Sequence, residues 1–150
     1  MTVDFAFKKT PSYRVASIVW KGKWSDASVH AHFLQVQKWA AGQKLKTGKW
    51  FFREPDEHTF ETAIEIRGRG RGGGGVRLKT YPAATVVSVE FDPDAISPRI
   101  VYHGIYDFLR WRKKDHEIRS VGAYREVYDG DPWKDARAFA RTTVQVVVRK

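Results

Sequence analysis

Cysteine is absent from the 150 residues, so disulfides, thiolate nucleophiles and thiolate metal sites are all excluded. No apolar stretch is long enough to cross a membrane, and Met1 to Lys9 lacks the apolar core of a secretory signal. The expectation is therefore a soluble, cytoplasmic chain with no membrane partner. Also missing are a G-x-S-x-G elbow and a phosphate-binding loop. His30, His32, His58, His103 and His116 form no ligand spacing. Asp129, Asp131 and Asp135 lack the glycine and terminal glutamate of a calcium loop. No metal and no cofactor are expected. Acid is scarce too, 17 Asp and Glu against 27 Lys and Arg, which leaves a net charge of +10. Such a balance attracts polyanions. The basic residues are nevertheless scattered among Lys8-Lys9, Lys21/Lys23, Lys44 to Lys49, Arg67 to Arg77 and Arg110 to Lys114. With no continuous basic helix and no helix-turn-helix pattern, charge on a solvated surface is the stronger reading.

Aromatic residues are plentiful, with 6 Trp, 6 Tyr and 9 Phe in one domain-sized chain. Rings beyond the needs of a core line ligand pockets, and an aromatic-rich core is the plain alternative. Tyr13 to Trp20 is β-branched and aromatic and reads as a strand. Ser25 or Asp26 can cap a helix to about Ala41, whose Val29, Phe33, Val36 and Ala40 recur at helical spacing. Strands follow at Gly48 to Arg53 and Thr59 to Ile66. The second half repeats the order. Ala83 to Phe91 is a strand, and Ser97-Pro98 opens a helix to about Asp115, with serine as cap and proline at the first helical position. Ala123 to Tyr128 and Thr142 to Val148 are strands. Fold class is thus α+β: two tandem strand–helix–strand–strand modules with pseudo-twofold symmetry, antiparallel sheets and a central cleft. The halves align Gly48-Lys49-Trp50-Phe51-Phe52 on Gly122-Ala123-Tyr124-Arg125-Glu126.

The half-modules, about 1–67 and 76–150 of one 1–150 domain, are joined by the glycine-rich stretch 68–75. This stretch satisfies G-x-G-x-x-G, but Val76 to Lys79 reads as a strand where a dinucleotide loop would need a helix. A mobile linker is expected, with an RGG-type nucleic-acid contact as the lesser reading.

Tyr124-Arg125-Glu126-Val127-Tyr128 carries the chemistry. In a strand, Tyr124, Glu126 and Tyr128 share one face and Arg125 takes the other. Burying arginine costs more than burying tyrosine, so the Tyr-Glu-Tyr face is expected to point inward. A carboxylate among rings is costly unless bonded or awaiting a partner. Glu126 is thus a binding or catalytic candidate, or else the side chain of an edge strand facing water. Tyr102 and Tyr106 lie one helical turn apart with Gly104 between them, and Gly104 would let a backbone or flat ligand approach. They are ligand contacts or core-rim residues. Trp133 is a lid or a core plug.

These residues resemble the gyrase-inhibitor-like family of small-molecule-binding proteins, which also supplies effector-binding domains to multidrug-responsive regulators. The marks are Gly22 with Trp24, Trp39-Ala40, Pro82-Ala83, Ser97-Pro98-Arg99, Tyr102-His103-Gly104, Trp111-Arg112, Tyr124 to Tyr128 and Asp131-Pro132-Trp133. The resemblance implies a central cleft with Glu126 among aromatic rings, and a flat, hydrophobic aromatic small molecule as partner. Ligand contacts would come from Trp39, Trp50, Phe52, Tyr102, Tyr106, Tyr124, Glu126, Tyr128 and Trp133. Some stand-alone members are similar to hydrolases that open cyclopropane rings of DNA-alkylating compounds. On that reading Glu126 is the general base on water, and Tyr102, Tyr106 or Tyr128 donates to the oxygen that gains charge. Non-catalytic effector or multidrug binding is the alternative, and a gyrase or nucleic-acid partner ranks behind both. No DNA-binding module lies in these residues, which weakens a regulator reading. A monomer or homodimer is expected.

Overall fold

In the computed structural model, which describes residues 3–150, one antiparallel sheet organises the chain. The elements run β1 (Ala6–Thr10), β2 (Tyr13–Lys21), α1 (Asp26–Gly42), β3 (Lys46–Asp56), β4 (Thr59–Arg67), β5 (Arg77–Tyr81) and β6 (Ala84–Phe91). They continue through α2 (Pro98–Lys114), β7 (Ser120–Tyr128), α3 (Ala136–Ala140) and β8 (Thr142–Arg149). The sheet order is β1-β6-β8-β7-β3-β4-β2-β5. The strand–helix–strand–strand order therefore occurs twice, as the sequence predicts. The two sets meet in a single sheet, where β3 pairs β7.

That central pairing fixes the symmetry. Trp50 faces Tyr128, Phe51 faces Val127 and Phe52 faces Glu126. Phe52 and Glu126 are also equivalent positions of the two halves, so the pseudo-twofold axis passes between them. The outer strands do not respect the halves. β1 pairs β6 and β5 pairs β2 on one shared register, from Ala6↔Ser88 through Thr10↔Ala84 and on from Tyr13↔Tyr81 to Ser17↔Arg77. Pro11-Ser12 and Pro82-Ala83 interrupt this ladder, as expected where proline cannot donate. Because β1 leads directly into β2 and β5 into β6, the two edges of the sheet are tied together and the sheet curls.

Both long helices cover one face. Ser25 caps α1 by accepting from the Ser28 backbone N–H. Val29, Phe33 and Val36 pack on Ile18, Trp50, Phe52 and Ile64, and Ala40 is buried on the same stripe. α2 buries Val101, Ile105 and Leu109 against Val87, Val89, Val144 and Val146. Ser97 makes no side-chain cap bond, so Pro98 starts α2 without the predicted serine cap. The opposite, concave face holds a third cluster of Tyr13, Val15, Phe51, Ala63, Tyr81 and Val127. Between β4 and β5, the Gln43 side chain bonds both Arg71 backbone groups, at 2.7 and 2.8 Å.

Candidate functional site

Glu126 projects from the middle of β7 onto the helix-covered face, beside the pseudo-twofold axis. Two neutral donors hold it. The Tyr102 hydroxyl on α2 donates to Oε1 at 2.5 Å, and the Tyr128 hydroxyl donates to Oε2 at 2.6 Å. Among the described residues no Lys, Arg or His lies within ion-pair distance of this carboxylate. Burial, then the charge of Glu126 and the hydrogen bond to it, push the Tyr102 and Tyr128 hydroxyls far above the usual tyrosine range. Both stay protonated and keep donating. Tyr124 stacks edge-on to Tyr102 at 5.5 Å, and its hydroxyl is pushed up to about 12 by burial, then by Glu54 and Glu126.

A cavity of about 370 Å³ opens next to this group, lined by Asp26, Tyr128, Pro132, Trp133 and Phe139. Tyr128 thus bonds Glu126 at its tip and lines the cavity. Trp133 is 39% exposed and stacks on His30 with ring centroids 4.5 Å apart. His30 Nε2 is 3.2 Å from Asp131 Oδ2, and the Asp131 Oδ1 accepts from the Trp133 backbone N–H. The loop after β7 is therefore pinned to α1, and the indole walls the cavity that Tyr128 also lines. Sequence reasoning missed Asp26, His30 and Phe139. Asp26 and His30 are four residues apart on α1, a spacing that puts them on one face, but nothing local to the sequence joins that face to Asp131.

The structure brings together Glu126, Tyr102, Tyr124 and Tyr128, with Phe52 as the cross-strand neighbour of Glu126. Trp50 is buried as the partner of Tyr128 and stacks on Phe33 at 4.7 Å, so its ring belongs to the core. Trp39 packs at the other end of α1, against the first-half core and beside Gly70. Tyr106 is 51% exposed and makes no side-chain hydrogen bond among the described residues. The approach allowed by Gly104 is taken by the Phe5 ring.

One expectation is reversed. Arg125 is only 5% exposed, more buried than the tyrosines flanking Glu126. Because the sheet curls, both faces of β7 are covered from Tyr124 to Tyr128, while Ser120 to Ala123 stay exposed. The rings of Tyr13, Phe51 and Tyr81 lie 5.4 to 5.8 Å from its guanidinium and offset part of the cost.

No protein-family model matches the chain, and no curated protein matches it in sequence. Solved structures do share its fold. The C-terminal domain of EcmrR has a TM-score of 0.72 at 20% identity, over 100% of this chain and 99% of that one. In the EcmrR–DNA complex the likeness (TM-score 0.70, 20% identity) covers 99% of this chain and 58% of that one. This chain thus spans little more than half of that protein. SAV2435 bound to tetraphenylphosphonium has a TM-score of 0.52 at 12% identity, covering 97% and 94%. A hydrolase encoded by lin2189 from Listeria innocua has 0.52 at 9%, covering 96% and 91%. At these identities the likeness establishes the α+β fold.

Proposed function

We propose that this domain binds flat, lipophilic small molecules beside Glu126, and that the carboxylate favours ligands carrying positive charge. One observation carries the reading: Glu126 is held by neutral hydroxyls alone, without a cationic partner among the described residues, next to a ring-walled cavity. A structural acid would be neutralised by arginine or lysine. This one is positioned and left uncompensated, which suits an incoming cation. Tetraphenylphosphonium, present in the SAV2435 structure, is a ligand of that kind. Trp133 and Tyr128 supply faces for stacking.

Titration with tetraphenylphosphonium, followed by calorimetry and tryptophan fluorescence, tests this. Glu126→Gln should weaken binding at least about tenfold, or about 1.4 kcal/mol, while a neutral aromatic ligand is affected little. Equal cation affinity in both proteins overturns the reading.

Hydrolysis of cyclopropanoid alkylating compounds is the second reading, and the lin2189 hydrolase is the neighbour that favours it. Glu126 would take a proton from water as the water oxygen bonds the ring methylene. The cyclopropane C–C bond would break with its electron pair passing to the conjugated carbonyl, and the proton would end on that oxygen as a phenol. Tyr102 and Tyr128 already donate to Glu126, so they orient the base rather than serve the oxygen that gains charge. Glu126→Gln should then lower turnover by about 10²–10⁴-fold. A gyrase or nucleic-acid partner instead predicts affinity that falls steeply with salt.

A further inference from the structure

On the concave face, away from Glu126, the buried Arg125 has no counter-anion within ion-pair distance among the described residues. Arg125 is 5% exposed, yet its polar partners are neutral: Nε donates to Gln145 Oε1 at 2.9 Å and Nη2 to Thr10 Oγ1 at 3.4 Å. The guanidinium has five donors. Glu61, buried on the same face, is already used. Glu61 accepts from Lys79 Nζ and from the Tyr81 hydroxyl, both at 2.5 Å, and Arg53 Nε sits 2.9 Å from its Oε1 without hydrogen-bond alignment. Two cations, Lys79 and Arg53, therefore share the Glu61 carboxylate. Burial, with Arg53 adding its repulsion, pulls the Arg125 guanidinium below its usual range.

These charges line a cavity. Arg53, Arg125 and Arg149 face a space of about 450 Å³ whose other walls include Tyr81, Val121 and Val147, and no acidic side chain lines it. The β7–β8 register shift between Val121 and Tyr124 opens the ladder at the same wall. Charged donors and apolar walls in one cavity describe the complement of a small anion with an apolar body.

We propose that this cavity is a second ligand site, distinct from that of Glu126, which takes small organic carboxylates with the anion on Arg125 and Arg53. Carboxylate geometry matches the arginine fork. Occupation would give Arg125 the counter-charge that the fold withholds.

The probe is benzoate, with benzamide as its neutral counterpart and inorganic phosphate as a bare anion. Calorimetry and ligand-observed NMR on the whole chain should show saturable benzoate binding at least tenfold tighter than that of benzamide or phosphate. Arg125→Met should abolish it while leaving tetraphenylphosphonium affinity and Tm unchanged or Tm raised, since an uncompensated buried charge is removed. Ala123→Trp, which obstructs the cavity and keeps Arg125, should also abolish benzoate binding and covers the case in which Arg125→Met does not fold. Benzoate binding that is unsaturable, equal to that of benzamide or phosphate, or unchanged in a folded variant overturns the proposal.

Discussion

Two glutamates in one sheet receive opposite treatment. Glu61 is wholly buried on the concave face and bonded by Lys79 and Tyr81, whereas Glu126 receives only tyrosine hydroxyls on the helix face. For Glu61, burial alone would raise the pKa. The Lys79 and Tyr81 hydrogen bonds and the charges of Arg53 and Lys79 outweigh it, and hold the carboxyl below its ordinary value of 4.5. A carboxyl depressed in the folded state stabilises above its unfolded pKa, and that stability disappears as pH falls through the folded value. Thermal melts should thus show Tm dropping as pH is lowered below about 4.5, with Glu61→Gln less stable at pH 7 and flatter across the acid range. A steeper acid loss in Glu61→Gln would contradict this. Glu126 was legible in the sequence because its strand presents an acid between two tyrosines. Glu61 was not, since Thr59 to Ile66 alternates like any strand and its partners arrive from β3 and β5. The burial of Arg125 is hidden for a related reason: local alternation shows that its face differs from that of Glu126, but says nothing of what the opposite face packs against.

At the scale of elements, α1 was readable because its four buried residues recur on one stripe and Ser25 marks its start. β1 and α3 escaped notice. The first is a five-residue lysine-bearing strand and the second a five-residue helix, each too short to show a period of its own. β1 also belongs to the sheet only through β6, far along the chain. The same non-local contact explains Gly104. A Cβ there would lie 2.8 Å from the Phe5 ring, which also packs on Phe108 at 5.7 Å. Gly104→Val should destabilise by about 1–3 kcal/mol through overpacking, measured by urea unfolding. Phe5→Ala should cost less in that background than in wild type, because the clash has already expelled the ring. Additive effects would show that Gly104 and Phe5 do not meet.

For the whole molecule, the repeat predicted from sequence is present, but the exchange of β1 and β5 was invisible to it. Which half a leading strand joins is decided by the curl of the sheet and by kinks at Pro11 and Pro82. The joint register from Ala6↔Ser88 to Ser17↔Arg77 has a practical result. Cleaving the backbone between Gly72 and Gly75 should give two peptides that each lack a bordering strand and are unfolded alone. Mixed, they should reassemble into the native fold, with a circular dichroism signal that rises with concentration and saturates at one to one. Independent folding of either peptide would refute this. Such conditional assembly makes the chain a natural split reporter, whose reconstitution can be read in living cells as evidence that two fused proteins have met.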